Sequence, residues 1–250
     1  MSILIDVGNT RAKVCVSVGR ELFAHKAVCH KDLIDTVNDL VSHHNETELL
    51  MASVAAAPLS DELLSFSESK GIKYQEVKTP PHAFGLINAY RQYGNLGVDR
   101  WLAMLGARVE CRAPLIVIDV GTAITVDLVD EFGQHKGGWI TPGLKTMREA
   151  LFGNTQKVAG PGQSNTPGSD DLSARFGITT ADCVSGGLQA VLIGVFQQAK
   201  DTARRTLKTN TAPKLFVTGG DATKLPDCLL SESEYRPDLV LQGLNSYRSE

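Results

Sequence analysis

Two short stretches of this chain carry residue types suited to handling phosphate. Ile5-Asp6-Val7-Gly8-Asn9-Thr10 closes the first apolar run, and Ile118-Asp119-Val120-Gly121-Thr122-Ala123 closes another more than a hundred residues later. In each, a β-branched strand ends in an aspartate, then a glycine, then small hydroxyl or amide side chains, and a second alternating strand follows. Glycine lets the backbone turn sharply and approach a ligand closely, Thr and Asn offer neutral hydrogen-bond donors, and an Asp can hold a hydrated Mg²⁺ that bridges phosphates. A single Asp-x-Gly at a strand end is usually an ordinary hairpin turn. Duplication predicts more: two structurally related halves, with the space between them as a ligand site. Two such turns facing each other would form a nucleotide cleft.

The elements that must position these turns can be read from periodicity. After the first turn, Ala12, Val14, Val16 and Val18 alternate with Arg11, Lys13, Cys15 and Ser17, the period of a half-buried strand. A turn between two strands is not a P-loop, whose glycine-rich turn opens a helix, and neither Gly-x-x-x-x-Gly-Lys-Ser/Thr nor Gly-x-Gly-x-x-Gly occurs. The pattern then predicts a helix over 32–41, a strand over 49–54 leading into Ala55-Ala56-Ala57-Pro58, a helix over 60–69 and a short strand over 72–77. Residues 80–95 read as irregular, with aromatics Phe84, Tyr90 and Tyr93, and a helix starts near Gly97 with Trp101, Leu102, Leu105 and Val109 at helical spacing. Strands over 115–120 and 124–129 flank the second turn, Phe132-Gly133 makes a hairpin tip leading into Trp139-Ile140, and Pro142-Gly143 opens another helix. The Gly-, Pro- and Ser-rich stretch 153–171 predicts a mobile loop. A long helix follows over 181–200, carrying Gly186, Gly187 and Gly194, and Leu215-Phe216-Val217 runs into Thr218-Gly219-Gly220-Asp221-Ala222. The halves divide near Arg112 to Pro114, giving an expected first domain over 1–113 and a second over 114–250.

Composition narrows the function classes. The chain has 250 residues, enough for two domains of ordinary size, and a net charge of −3 with both signs interspersed. No Lys/Arg run marks a nucleic-acid stripe or an anionic-membrane anchor. Neither nucleic acid nor membrane is expected as a partner. Met-Ser-Ile-Leu-Ile-Asp lacks a basic leader region and is interrupted by Asp6, so it reads as a buried first strand of a cytoplasmic protein. Cys15, Cys29, Cys111, Cys183 and Cys228 are dispersed and odd in number, which predicts reduced thiols rather than disulfides or a zinc site. His43 and His44 read as a surface pair.

An ordered set of motifs carries a resemblance. Asp6-Val7-Gly8-Asn9-Thr10-x-x-Lys13, Gly97-Val98-Asp99-Arg100-Trp101, Asp119-Val120-Gly121-Thr122, Gly137-Gly138-Trp139-Ile140-x-Pro142-Gly143 and Thr218-Gly219-Gly220-Asp221 together resemble the type III pantothenate kinase family over nearly the whole chain. The resemblance implies an α/β fold of two similar ribonuclease H-like domains, the acetate and sugar kinase, Hsp70 and actin superfold, with ATP in an interdomain cleft. It implies a kinase that transfers the ATP γ-phosphate to pantothenate, giving 4′-phosphopantothenate, the first step toward coenzyme A.

The implied site is assigned residue by residue. Asp6, Val7, Gly8, Asn9, Thr10, Arg11, Ala12 and Lys13 match the first phosphate loop, with Asp6 near Mg²⁺ through water and Asn9, Thr10 and Lys13 near the phosphates. Thr122 matches an ATP contact and Asp119 a monovalent-cation site for K⁺ or NH₄⁺. Gly97, Val98, Asp99 and Arg100 match the pantothenate-binding stretch, Asp99 the proton acceptor, Tyr90 a substrate-contacting tyrosine, and Thr180, with Thr179 as its neighbour, a further pantothenate contact. Tyr93 stands where the family often has proline. A homodimer is also implied. Val184, Leu188, Val191 and Leu192 supply either a helix for it or core.

The chemistry agrees. Phosphoryl transfer needs charge neutralisation, in-line positioning and a base for the accepting hydroxyl. Asp99 falls in the first turn of a helix beside Arg100, and both the helix N-terminus and the neighbouring cation favour an ionised carboxylate. An ordinary helix-start Asp fits the same facts. Arg100 can pair with the pantothenate carboxylate through its planar fork, or with a surface acid. Two other readings share the superfold: a phosphohydrolase, and a nucleotide-binding accessory factor in transcriptional regulation. The intact Asp6, Asp99 and Arg100 favour catalysis.

Overall fold

The structure is a computed structural model and describes residues 1–43, 48–54, 58–153, 176–207 and 211–249. The expected mobile loop lies outside the described residues from 154 on, as do His44 and 55–57. Two compact units divide the chain. The first holds Met1–Arg112 together with Val129–Gly137 and Asp238–Glu250, and the second holds Ala113–Leu128 and Gly138–Pro237.

In the first unit, β1 (Ser2–Val7), β2 (Ala12–Val18), β3 (Glu21–Val28), β4 (Glu48–Ser53) and β5 (Lys73–Glu76) form one sheet in the order β3-β2-β1-β4-β5. β1 runs antiparallel to β2 and parallel to β4. One face packs Ile3, Ile5, Val7, Val14, Val16, Leu49 and Met51 against α1 (Leu33–His43) and α2 (Pro58–Lys70). α2 begins with proline, whose missing N–H is no loss at the first helical position.

β2 departs from the half-buried strand expected. Cys15 and Ser17, on its more polar face, are also fully buried, while Val18 is exposed. That face is covered because α3 (Val98–Glu110) and α7 (Leu239–Asn245) lie over this side of the sheet and contact β1 and β4. The two helices approach closely through glycine: a Cβ on Gly106 would overlap the Leu239 carbonyl oxygen, and one on Gly243 that of Leu102. This packing explains why the C-terminal segment groups with the first unit. Trp101 is fully buried, and its indole N–H donates to Tyr247 Oη at 3.0 Å.

β6 (His82–Ala83) and β7 (Leu86–Ile87) make a small hairpin inside the stretch read as irregular.

The second unit repeats the plan. β8 (Leu115–Val120), β9 (Ala123–Val129), β10 (His135–Pro142), β11 (Lys214–Thr218) and β12 (Glu234–Tyr235) follow the order β10-β9-β8-β11-β12, the same first-to-fifth arrangement as in the other sheet. β11 is parallel to both β8 and β12. The sheet packs Ile116, Ile118, Val120, Ile124 and Val126 against Leu192, Phe196, Ala199 and Ala203 of α5 (Thr180–Thr206). α4 (Leu144–Gly153) and the short α6 (Asp227–Leu230) complete it. Two sheets of the same order on one chain are the duplicated ribonuclease H-like architecture.

All five cysteines are free, and Cys15 and Cys111 are buried. No helix among the described residues is long and apolar enough to cross a membrane.

Candidate active site

The first Asp-x-Gly turn is a tight connection between β1 and β2. The Gly8 N–H donates to the Arg11 carbonyl at 3.0 Å, closing a loop over Gly8-Asn9-Thr10-Arg11 in which the last three residues are exposed. Val7 and Ala12, where the strands leave the turn, are fully buried and face each other in register, so the loop stands on a rigid base. Asp6 and Lys13 are also opposite each other in the ladder, and both are half-buried. Directly opposed residues have Cβ atoms about 5 Å apart on one face of the sheet. The turn thus carries a carboxylate and an ammonium side by side at its foot. A residue with no expected role holds the top: His30, in a short 3₁₀ turn after β3, lies with Nε2 2.9 Å from the Gly8 carbonyl oxygen.

The second turn, between β8 and β9, is closed by the Gly121 N–H donating to the Ala123 carbonyl at 3.0 Å. The Thr122 carbonyl accepts from the Gly143 N–H at 2.8 Å and from Thr146 Oγ1 at 2.9 Å, while the residue itself is exposed. A Cβ on Gly143 would strike the Gly121 and Thr122 carbonyls, which explains the glycine after Pro142. Gly219 has φ +102°, and a Cβ there would overlap both the Val120 carbonyl oxygen and Asp119 Oδ1. The Thr-Gly-Gly-Asp turn thus lies directly against Asp119, and the Asp221 N–H donates to the Val120 carbonyl at 2.9 Å.

The substrate segment expected around Tyr90 and residues 97–100 is drawn together in the first unit. Gly97 caps α3, and the Asp99 carboxylate folds back over it so that Oδ1 would lie 2.5 Å from a Cβ at Gly97. The same oxygen accepts from the Arg100 N–H at 2.7 Å. Val98 is buried and anchors the first turn of the helix. Arg100 is only 6% exposed, so it is not a surface cation; its Nη1 donates to Tyr90 Oη at 2.9 Å and its guanidinium lies 5.8 Å from the centre of the Tyr90 ring. The same ring stacks with His135 at 6.2 Å, planes 12° apart, and His135 is fully buried.

His135 comes from the β9–β10 hairpin tip, which is fixed in several ways. Arg108 of α3 donates to the Glu131 carbonyl at 2.5 Å and the Arg112 carbonyl at 2.6 Å. Gly133, φ +83°, packs where a Cβ would overlap the Gly85 carbonyl, and its own carbonyl accepts from the Ile87 N–H. Asp130 caps the tip, accepting from Phe132 N–H at 3.0 Å, Gln134 N–H at 2.8 Å and Lys136 Nζ at 2.8 Å. Burial opposes charge on Asp130, but Lys136 and the two N–H donors outweigh it and hold its carboxyl below the usual carboxylate range. Sequence reading placed the tip at Phe132-Gly133 and had no signal for His135 or Arg108.

Thr179 and Thr180 are separated by role. Thr179 is the N-cap of α5, its hydroxyl accepting from the Asp182 N–H at 3.2 Å, whereas Thr180 begins the helix and is exposed. Of the four α5 residues left between core and partner, Leu192 is core; Val184 and Leu188 are half-buried, and Val191 is 44% exposed.

No group of three or more His, Cys, Asp or Glu side chains among the described residues forms a protein-only metal cage. Mg²⁺ does not require one. It keeps several waters and binds through one or two carboxylates plus substrate phosphates, so the single Asp6 carboxylate at the foot of the turn fits. Asp119 Oδ1 and the Val120 carbonyl oxygen both lie against Gly219 at the second turn.

Comparison with known proteins bears on the whole chain. A curated relative from Colwellia psychrerythraea named type III pantothenate kinase is 29% identical over 99% of this chain and 100% of its own length. Relatives of the same name from Teredinibacter turnerae and Pseudoalteromonas translucida are 34% and 35% identical over 98% of this chain and 97% and 95% of theirs. Among solved structures, a conserved putative Baf family transcriptional activator from Campylobacter jejuni matches with TM-score 0.63 at 20% identity, covering 98% of this chain and 96% of that one. A putative 2-dehydro-3-deoxygalactonokinase from Sinorhizobium meliloti matches at 0.55 and 12%, covering 98% and 97%. At such identities these two show the fold alone. The family model for type III pantothenate kinase matches residues 2–202, and the chain belongs to that family.

Proposed function

We infer that this chain is an ATP-dependent pantothenate kinase. The observation that carries the reading is the same Asp-x-Gly turn at the same strand junction of two sheets of identical order, accompanied by an acid, an arginine and a tyrosine gathered at the start of α3.

In this reading the Gly8–Arg11 loop binds the ATP phosphates, through the backbone of Val7 to Ala12, the side chains of Asn9 and Thr10, and Lys13 as a point charge. Thr122 meets ATP from the second turn. Asp6 would hold Mg²⁺ through water and Asp119 the K⁺ or NH₄⁺; bound Mg²⁺ supplies neutralisation of the phosphate charge. Gly97 and Val98 give the pantothenate chain a close backbone approach, Arg100 and Tyr90 orient it, and Thr180 adds a contact.

The hydroxyl oxygen of pantothenate attacks the γ-phosphorus, the bond from that phosphorus to the ADP oxygen breaks, and the hydroxyl proton passes to Asp99. The carboxylate is suited to this because a helix N-terminus favours its ionised form, and its hold on the Arg100 N–H fixes its direction. Burial of Arg100 against Tyr90 supports a positioning function, since a buried guanidinium keeps one orientation.

A homodimer in the cytoplasm belongs to the same reading. α5 buries side chains in the core only from Leu192 onward, so its N-terminal half, with Val191 exposed, offers a face to a second copy.

The test is a coupled ADP-release assay with and without pantothenate. ADP release that requires pantothenate supports the kinase; release at the same rate without it would indicate a phosphohydrolase, and none with either would leave a binding protein.

A further inference from the structure

We propose that His30 is a positioning residue for the first phosphate turn, and that its task is to fix the direction of the Gly8–Asn9 peptide. The proposal rests on the reading of that turn as the ATP phosphate loop.

The geometry is direct. His30 Nε2 lies 2.9 Å from the Gly8 carbonyl oxygen, across 22 residues of sequence. A carbonyl oxygen only accepts, so Nε2 carries the hydrogen of this bond. The peptide between Gly8 and Asn9 is planar and trans, and in such a unit the C=O and the N–H point in opposite directions. Holding the Gly8 carbonyl toward His30 therefore turns the Asn9 N–H away from it, toward the exposed side of the loop where Asn9 and Thr10 stand. Backbone N–H groups gathered in such turns are what bind phosphate oxygens.

Without this tie the peptide has an alternative. Glycine tolerates backbone angles closed to other residues, so the plane following Gly8 can rotate and present its carbonyl oxygen outward. An outward carbonyl repels phosphate where the N–H attracts it. Neighbouring bonds do not prevent this: the Gly8 N–H to Arg11 and the Val54 N–H to the Val7 carbonyl both fix the one Val7–Gly8 peptide, not the peptide after Gly8.

His30 is itself held for the purpose. It opens a 3₁₀ turn over His30–Asp32, braced by the Asp32 N–H donating to the Cys29 carbonyl at 3.0 Å and by Thr36 Oγ1 donating to the Asp32 carbonyl at 2.8 Å. That turn leads directly into α1, whose Leu33 and Val37 are fully buried in the core of the first unit. The imidazole thus carries the rigidity of the core to a loop whose other residues are exposed.

The experiment compares His30→Ala, His30→Gln and the parent. Each is measured for ADP affinity by calorimetry with Mg²⁺, for KM toward ATP and toward pantothenate, and for melting temperature. Glutamine offers an amide N–H at about the reach of Nε2. His30→Ala should weaken ADP binding and raise the ATP KM by about fivefold, the worth of one net hydrogen bond, with the pantothenate KM within about twofold of the parent, and His30→Gln should recover most of the loss. A His30→Ala protein with lowered melting temperature but parental ADP affinity and ATP KM would overturn the proposal, leaving His30 as a structural tie. If His30→Ala does not fold, a folded His30→Gln that binds ADP more than about fivefold more weakly than the parent, the whole worth of the bond, would overturn it as well. Failure of the parent itself to bind ADP would refute the reading of the loop, a result distinct from either.

Discussion

The sharpest perturbation of this site is Asp99→Asn. The substitution is nearly isosteric and keeps an oxygen where Oδ1 accepts from the Arg100 N–H at 2.7 Å, so the start of α3 should hold its shape. What is lost is charge. If Asp99 only begins its helix, the cost is the carboxylate's interaction with the helix N-terminus, about 0.3–1 kcal/mol. Spread over a protein of this size, that lowers the melting temperature by no more than about 4 °C and leaves turnover alone. If Asp99 accepts the hydroxyl proton, its removal costs about 10²–10⁴ in rate, or about 2.7–5.4 kcal/mol at 1.36 kcal/mol per decade. The two ranges do not overlap. The fall should appear in kcat, because a group used chiefly in the transition state adds little to ground-state binding. Coupled ADP release measures kcat and both KM values, calorimetry checks that pantothenate still binds, and thermal unfolding checks the fold. A folded Asp99→Asn protein that binds both substrates and turns over within about threefold of the parent, far short of a general-base effect, would refute the assignment.

Four further outcomes follow from the same geometry. Asp6→Asn should abolish turnover while Lys13→Ala chiefly raises the ATP KM; near-parental kcat in Asp6→Asn would reverse the roles given to this opposed pair. Replacing Na⁺ by K⁺ or NH₄⁺ at constant ionic strength should raise activity, and Gly219→Ala, which drives a methyl into Asp119 and the Val120 carbonyl, should erase that gain; equal rates in all three salts would count against the cation site. Arg100→Ala should raise the KM for pantothenate more than that for ATP, and equal changes in both would show that Arg100 only supports the fold. Asp130 has a depressed folded-state pKa, so its stabilisation is present above the ordinary carboxylate range and is lost as pH falls through the folded value; melting curves of the parent and Asp130→Asn should differ at neutral pH and converge in acid, and a constant gap down to the lowest pH would disprove the linkage.

The turns were legible because their requirements are local. A strand end, a glycine and a small polar residue are consecutive in sequence, and each pays its conformational cost where it stands. β3 was not legible, and the ladder shows why: Val14 pairs with Lys26 but Val16 with Phe23, so two residues of β3 oppose one of β2. Ala24 takes a positive φ of 55° there. Such a bulge shifts the side-chain alternation by one, and on a strand with no fully buried residue nothing else marks the period. The C-terminal helix α7 escaped for a different reason. Its seven residues are too few to show a helical period, and its burial depends on Gly106 and Gly243 meeting across more than a hundred residues.

The supports of the site show the same division between local and long-range causes. Both turns close through the N–H of their glycine, Gly8 to the Arg11 carbonyl three residues on and Gly121 to the Ala123 carbonyl two residues on. What braces them differs. The first relies on an imidazole from beyond β3, holding the Gly8 carbonyl. The second relies on a backbone N–H and a threonine hydroxyl at the start of α4, holding the Thr122 carbonyl. Duplication therefore explains the turns but not their bracing, because a carbonyl can be satisfied by any donor that the fold brings within reach. The same holds for Tyr90, whose ring is backed by His135 from a hairpin 45 residues on. A residue that touches substrate is restricted by the substrate's chemistry and so carries a recognisable type at a recognisable spacing. A residue that aims it is restricted only by geometry, and that geometry exists only once the chain has folded.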